Sequence, residues 1–152
     1  LQQRCEVDLR VPALLPETYI ADVTLRLSLY KRIASSDHSE ELRALKVEMI
    51  DRFGLFPDAA QNLMAVTELR NRAEQLGIRK IDGGPQGITV EFGENTKVSP
   101  VYLIQLIQSA PNQYKLEGPN RLRILAKISD TQGRLKLVES LLEEFAERKD
   151  EK

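Results

Sequence analysis

After Gly77 the spacing of apolar residues changes from a period of about 3.6 to a period of 2, so the chain must combine a helical part with a sheet. Ile78 to Ile81 and the alternating Ile88, Val90 and Phe92 read as two strands, joined by a loop of turn formers from Asp82 to Gly87. Ser99 and Pro100 start a helix over Val101 to Ser109, which Pro111 ends. The order then recurs. Tyr114 to Glu117 and Leu122 to Ala126 flank the turn Gly118-Pro119-Asn120, and a last helix from Asp130 to Arg148 carries Leu135, Val138, Leu142 and Phe145 on one face. The expected class is α+β: N-terminal helices, then two strand-turn-strand-helix units forming a small antiparallel or mixed sheet with helices packed on it.

Before Gly77, Val7, Leu9 and Val11 alternate as a short strand that Pro12 stops, and Pro12 and Pro16 make an extended connection. From Asp22 to Ala34 apolar residues run round more than half of a helix, which marks it as the most buried element. Leu27→Ala is therefore expected to cost about 2 to 5 kcal/mol. Asp37 or Ser39 can cap the next helix, Ser39 to Phe53, which Gly54 ends. Pro57 opens a third helix that runs to Leu76. At 152 residues the expectation is one domain over 1–152, with residues 1–5 a linker remnant and 149–152 a frayed tail.

The helix from Ser39 to Phe53 has two unlike faces. Leu42, Leu45, Met49 and Phe53 fall on one stripe, while Ala44, Val47, Glu48 and Asp51 fall opposite. Glu48 and Asp51 lie where the carbonyl end of the helix dipole disfavours negative charge, at roughly 0.3 to 1 kcal/mol each. Their i,i+3 repulsion adds about 0.2 to 0.5 kcal/mol. Replacing both by alanine is thus expected to leave the fold intact or slightly stabilise it. The strip reads either as a solvated face partly neutralised by Lys46 and Arg52, or as a surface that docks on a basic partner.

Charge and inventory exclude several functions. A net charge of -1 opposes nucleic-acid binding by the overall field. Arg70, Arg72, Arg79 and Lys80 form a local basic stretch, interleaved with Glu68, Glu74 and Asp82, which is the alternative nucleic-acid reading. No apolar run approaches the roughly 18 to 20 residues of a membrane span. The single cysteine, Cys5, suits a reducing compartment, and the cytoplasm is the expected location. The chain begins at Leu1 and is expected to be an excised piece of a longer polypeptide. His38 is the lone histidine, and its neighbours Ser36, Asp37 and Ser39 diverge from any triad geometry. One Cys and one His cannot close a zinc site. The loop Gly83 to Gly87 lacks both the lysine and the following helix of a phosphate loop. Glu48 and Asp51, on one outward helix face, are poorly placed to flank a substrate bond. No catalysis, cofactor or metal is expected in this chain.

The run Glu6-Val7-Asp8-Leu9-Arg10-Val11-Pro12-Ala13-Leu14-Leu15-Pro16-Glu17-Thr18-Tyr19-Ile20, the helix with Arg26-Leu27-Ser28-Leu29-Tyr30-Lys31-Arg32-Ile33, and Asp51-Arg52-Phe53-Gly54 with Pro57 carry a family likeness. So do Leu76-Gly77-Ile78-Arg79-Lys80 and Leu116-Glu117-Gly118-Pro119 with Arg121-Leu122. Together they resemble the C-terminal domain of the bacterial transcription-repair coupling factors, from Glu6 to the last helix. The resemblance implies one module of a large ATP-dependent DNA translocase that displaces stalled RNA polymerase and recruits nucleotide excision repair. ATP and Mg would belong to motor domains outside this chain, and RNA polymerase and DNA would be met through other domains. The module itself is implied to be a clamp that packs on an N-terminal UvrB-like module and masks the surface that binds UvrA. The family's acidic contacts fall by position on Glu48 and Asp51, with Ala44 and Val47 beside them. Likeness is least in the loops at Asp37 to Glu40 and Gly83 to Gly87.

Overall fold

The computed structural model describes residues 4–148. They form β1 (Glu6–Asp8), α1 (Val23–Ala34), α2 (Ser39–Phe53), α3 (Asp58–Gln75), β2 (Ile78–Gly84), β3 (Gly87–Phe92), α4 (Pro100–Ser109), β4 (Tyr114–Glu117), β5 (Arg121–Leu125) and α5 (Thr131–Glu147). The chain divides into two compact units, a helical one over Val11–Asn71 and a sheet unit built from the residues before Val11 and those from Arg72 onward.

In the helical unit Asp22 caps α1, its carboxylate accepting from the N–H groups of Thr24 (2.9 Å) and Leu25 (3.3 Å). Leu42, Leu45 and Met49 of α2 are buried with Leu15, Ile20, Leu29, Ile33, Ala60 and Met64, and half-buried Phe53 packs against this core. The Phe53 ring meets Tyr19 edge-on at 6.1 Å. The apolar stripe read from α2 is therefore the core face. The N-cap position of α2 falls on His38, whose side chain makes no capping bond, and not on Asp37 or Ser39; Glu40 and Glu41 in the first turn supply the charge that end of the dipole favours.

The expectation that α1 is the most buried element is overturned. Only Leu29 and Ile33 of α1 are buried, while Leu27 is 59 % and Val23 58 % exposed. Leu27 lies two residues, hence roughly 160° round the helix, from Leu29, and neighbours cover only one side. The other end of α1 is tied down by α3: Arg70 donates to the Ala34 carbonyl at 3.0 Å, and Asn71 to the Ser36 carbonyl at 2.7 Å.

The sheet has the order β1-β2-β3-β5-β4. β1 runs parallel to β2, with Val7 opposite Ile81, and the other pairings are antiparallel, so the sheet is mixed. Ile88, Val90, Phe92, Leu122 and Ile124 alternate on its buried face, and α5 buries Leu135, Val138, Leu142 and Phe145. The Phe92 and Phe145 rings meet at 5.8 Å, which places α5 on that face.

Three sequence expectations change here. β1 stops at Asp8, before Leu9 and Val11, because Arg10 takes φ 53° and turns the backbone, its N–H bonded to Asp8 Oδ1 at 3.1 Å. The expected loop from Asp82 to Gly87 shrinks to Pro85-Gln86, since Gly83 and Gly84 continue β2. A Cβ on Gly83 would meet the tip of the Ile88 side chain, and one on Gly84 the Arg10 guanidinium, so side chains of neighbouring residues lie over both glycines. Cys5, expected in a linker, is 4 % exposed and its N–H donates to Glu74 Oε2 at 2.8 Å. Residues 1–3 and the tail 149–152 lie outside the described residues.

One cation organises this unit. Arg134 of α5 is 5 % exposed and donates to four backbone carbonyls: Leu9 (3.0 Å), Arg10 (3.1 Å), Ile128 (3.0 Å) and Ser129 (3.0 Å).

These placements set stability. In urea unfolding Leu27→Ala is expected to change stability by less than about 0.5 kcal/mol, as an exposed substitution does. Met49→Ala, at a site with 0 % exposure, is expected to cost about 2 to 5 kcal/mol. Arg134→Lys keeps the charge but loses the planar fork, and should cost roughly 2 kcal/mol or more by orphaning buried carbonyls.

Candidate functional site

α2 presents Ala44, Val47, Glu48 and Asp51 away from its core stripe, as the helical period requires. Ala44 and Asp51 are exposed, Val47 is 56 % exposed, and the Glu48 side chain is 38 % exposed. The two acids are not equivalent. Glu48 accepts from Arg32 of α1 through both oxygens, at 2.5 and 2.9 Å, and from Arg52 at 3.3 Å. The Asp51 carboxylate makes no ion pair or side-chain hydrogen bond among the described residues.

This geometry explains how α2 tolerates Glu48 toward its carbonyl end. Arg32 brings a cation from the neighbouring helix, and Arg52 adds one from the next turn. Sequence reasoning named Arg52 and Lys46 for this task and missed Arg32, because the pairing depends on how α1 lies beside α2, which no period along one helix encodes. The hydrogen bond from Arg32 holds the Glu48 carboxyl at about 2, well below its ordinary 4.5, against a smaller opposing effect of burial and with help from Arg52. Arg32 in turn is raised by the same bond. Replacing Glu48 therefore removes a link between two helices, which opposes the gain expected from relieving the helix end of its charge, whereas replacing Asp51 removes no such link. Between the helices lies a shallow groove of about 360 Å³, lined by Arg32, Ser35, Ser36, Glu41, Ala44 and Glu48 among others.

The other candidate residues take structural places. Arg70 is committed to the Ala34 carbonyl and to Asn71 Oδ1 (3.2 Å), and Arg79 pairs with Glu91 at 3.8 Å. Within the sheet unit, Lys80 lines a surface hollow with Asp82, Glu91 and Glu117 as well as Arg121 and Arg123, so the field there is mixed in sign. His38 sits at the start of α2, and Cys5 is buried, its backbone N–H on Glu74 Oε2. Among the described residues no group of three His, Cys, Asp or Glu side chains is placed to hold a metal ion, and no helix is long and apolar enough to cross a membrane.

The model of the TRCF domain family matches residues 9–103. The chain belongs to the TRCF family. It is 46 % identical over 145 residues to the transcription-repair-coupling factor of Escherichia coli (strain K12), and 48 % identical over 145 residues to that of Haemophilus influenzae. Each alignment covers 95 % of this chain and 13 % of the relative, so the TRCF domain described here spans about an eighth of those polypeptides. Its fold matches a crystal structure of the C-terminal domain of a transcription-repair coupling factor with a TM-score of 0.75, at 24 % identity and 96 % coverage of both chains.

The charge pair in this TRCF domain has a pH signature. Glu48 is depressed in the folded state, so its contribution to stability is present above the unfolded value near 4.5 and is lost as pH falls through about 2. Carboxyl-resolved NMR titration is expected to place the Glu48 midpoint near 2, and Arg32→Ala should move it up toward the ordinary carboxylate range. An unmoved midpoint would show that Arg32 does not hold this carboxylate in solution.

Proposed function

We propose that this chain is the regulatory docking module of a transcription-repair coupling factor. In the full-length polypeptide it packs on the N-terminal UvrB-like module, masks the surface that binds UvrA, and so restrains the factor until it engages RNA polymerase. The parent protein in this reading is a cytoplasmic, ATP-dependent DNA translocase that displaces stalled polymerase and recruits nucleotide excision repair. ATP, Mg, DNA and polymerase are handled by its other modules, and the chain itself performs no catalysis.

The observation that carries this reading is the open Asp51 carboxylate in a chain of the TRCF family, on a helix face whose other acid is already matched. Ala44 and Val47 beside it are small and exposed, so a partner can approach closely. Glu48, fixed by Arg32 and Arg52, keeps an oriented carboxylate one turn away. Such a face suits a basic partner, and a contact of this kind is weakened by salt. The nucleic-acid alternative draws no support from Arg70, whose guanidinium closes the end of α1.

Asp51→Lys in the full-length factor is the direct test, because it reverses the open charge without touching the Arg32 link. UvrA is expected to bind this variant about tenfold or more tightly than wild type, a shift worth roughly 1.4 kcal/mol. Added salt should narrow the gap by loosening the wild-type contact. Equal UvrA affinities for normally folded wild-type and variant factor would show that the α2 face restrains nothing.

A further inference from the structure

The sheet unit carries a second surface, unlike the α2 face. From Val98 to Tyr114 the sequence contains no Asp, Glu, Lys or Arg, in a chain that is 30 % charged. α4 lies inside that stretch, and most of its residues are apolar. None of them is buried. A helix that is apolar round most of its circumference normally lies inside a structure. Here Val101 is 62 % and Ile104 55 % exposed, with Leu103 and Ile107 half-buried at their flanks. β4, the edge strand that α4 contacts, adds Leu116 at 54 % exposure.

The outward face of α4 is held in place. Ser99 caps the helix through the N–H of Tyr102 at 3.3 Å, and the Tyr102 hydroxyl donates to Glu144 of α5 at 2.5 Å. The Arg148 guanidinium lies 5.2 Å over the Tyr102 ring. Tyr102 and Leu106 thereby face α5 across a groove that also takes in Leu137 and Leu141, which leaves Val101 and Ile104 on the far side.

We infer that the Val101 and Ile104 face of α4 is the docking surface for an uncharged, aliphatic surface of another module of the same TRCF polypeptide. The chemistry of the occupant follows from the missing charges: a charged partner surface would lose its hydration here and find no counter-ion. Its source follows from area. A helix of ten residues is about 15 Å long and offers one face, well short of the roughly 800 Å² per partner that a stable free complex or a dimer of this chain needs. A tethered surface needs less, because its effective concentration reaches about the millimolar range. The relatives have the polypeptide to provide it, since this chain matches 13 % of their length. The inference rests on the reading of the chain as one module of a longer factor.

The test is maleimide labelling in the full-length factor, with its accessible native cysteines replaced. Ile104→Cys reports the α4 face, Val47→Cys the α2 face, and Glu139→Cys, on exposed α5 surface, sets the free rate. Ile104→Cys is expected to label at least about tenfold more slowly than Glu139→Cys, as for a contact open less than about a tenth of the time. Adding Val101→Glu to the Ile104→Cys variant should restore the fast rate. Equal rates for Ile104→Cys and Glu139→Cys overturn the inference. So does protection that vanishes on dilution, the mark of a second copy, or protection that Val101→Glu leaves intact. Protection of Val47→Cys alone refutes this inference and spares the docking of α2; protection of Ile104→Cys alone does the reverse; protection of neither removes both.

Discussion

The sheet unit depends on the Arg134 guanidinium. Where β1 ends at Asp8 the backbone turns through Arg10, and the carbonyls of Leu9 and Arg10 lose the strand ladder that would have paired them. The carbonyls of Ile128 and Ser129, ahead of α5, have the same need. Buried carbonyls must find donors, and arginine is the one side chain with enough of them in a rigid plane to serve four at once. The bonds close contacts of 125 and 124 residues in sequence, joining the first strand to the last helix. They also explain why a three-residue parallel strand persists at the sheet edge: its exit is bolted to the helix that covers the sheet.

Helix boundaries were legible because the signals that set them are local. Asp22, Gly54, Ser99 with Pro100, and Asp130 each act within one turn of their own position. What was not legible required knowing the far side of a contact. Leu27 and Leu29 are equally apolar, and only the position of α2 and the rest of the core decides that one is exposed and the other buried. Gly83 and Gly84 read as turn formers until Ile88 and Arg10 are seen where their side chains would have been. Arg134 is not among the apolar residues Leu135, Val138, Leu142 and Phe145 that the helical period marks as the inner stripe of the last helix. Its role became visible only when the turn at Arg10 was placed beneath it.

The candidate site repeats this pattern. The face of α2 with Ala44, Val47, Glu48 and Asp51 followed from the helical period, and so did its two acids. The division of labour between those acids did not. Arg32 belongs to another helix, sixteen residues away from Glu48 in sequence, and it converts a doubly charged helix end into one matched carboxylate and one open one. The structure thus leaves Asp51 as the open carboxylate of this face and gives Glu48 a share in holding α1 against α2.

The two exposed surfaces work by different physics and lie in different units. Asp51 offers a charge, of the kind that would steer a basic partner and discriminate against acidic ones but add little affinity at a solvated surface. Val101 and Ile104 offer aliphatic area, which contributes affinity in proportion to what is removed from water but has no long-range field. A contact that must hold and later release gains from this separation. Under the proposed docking, salt, a competing cation or a charge reversal would weaken the α2 face without exposing apolar surface, while the α4 face would respond to displacement of the module bearing its occupant. If both are engaged in one polypeptide, their effects multiply through the tether, and loosening either one weakens the whole by more than that single contact is worth in isolation.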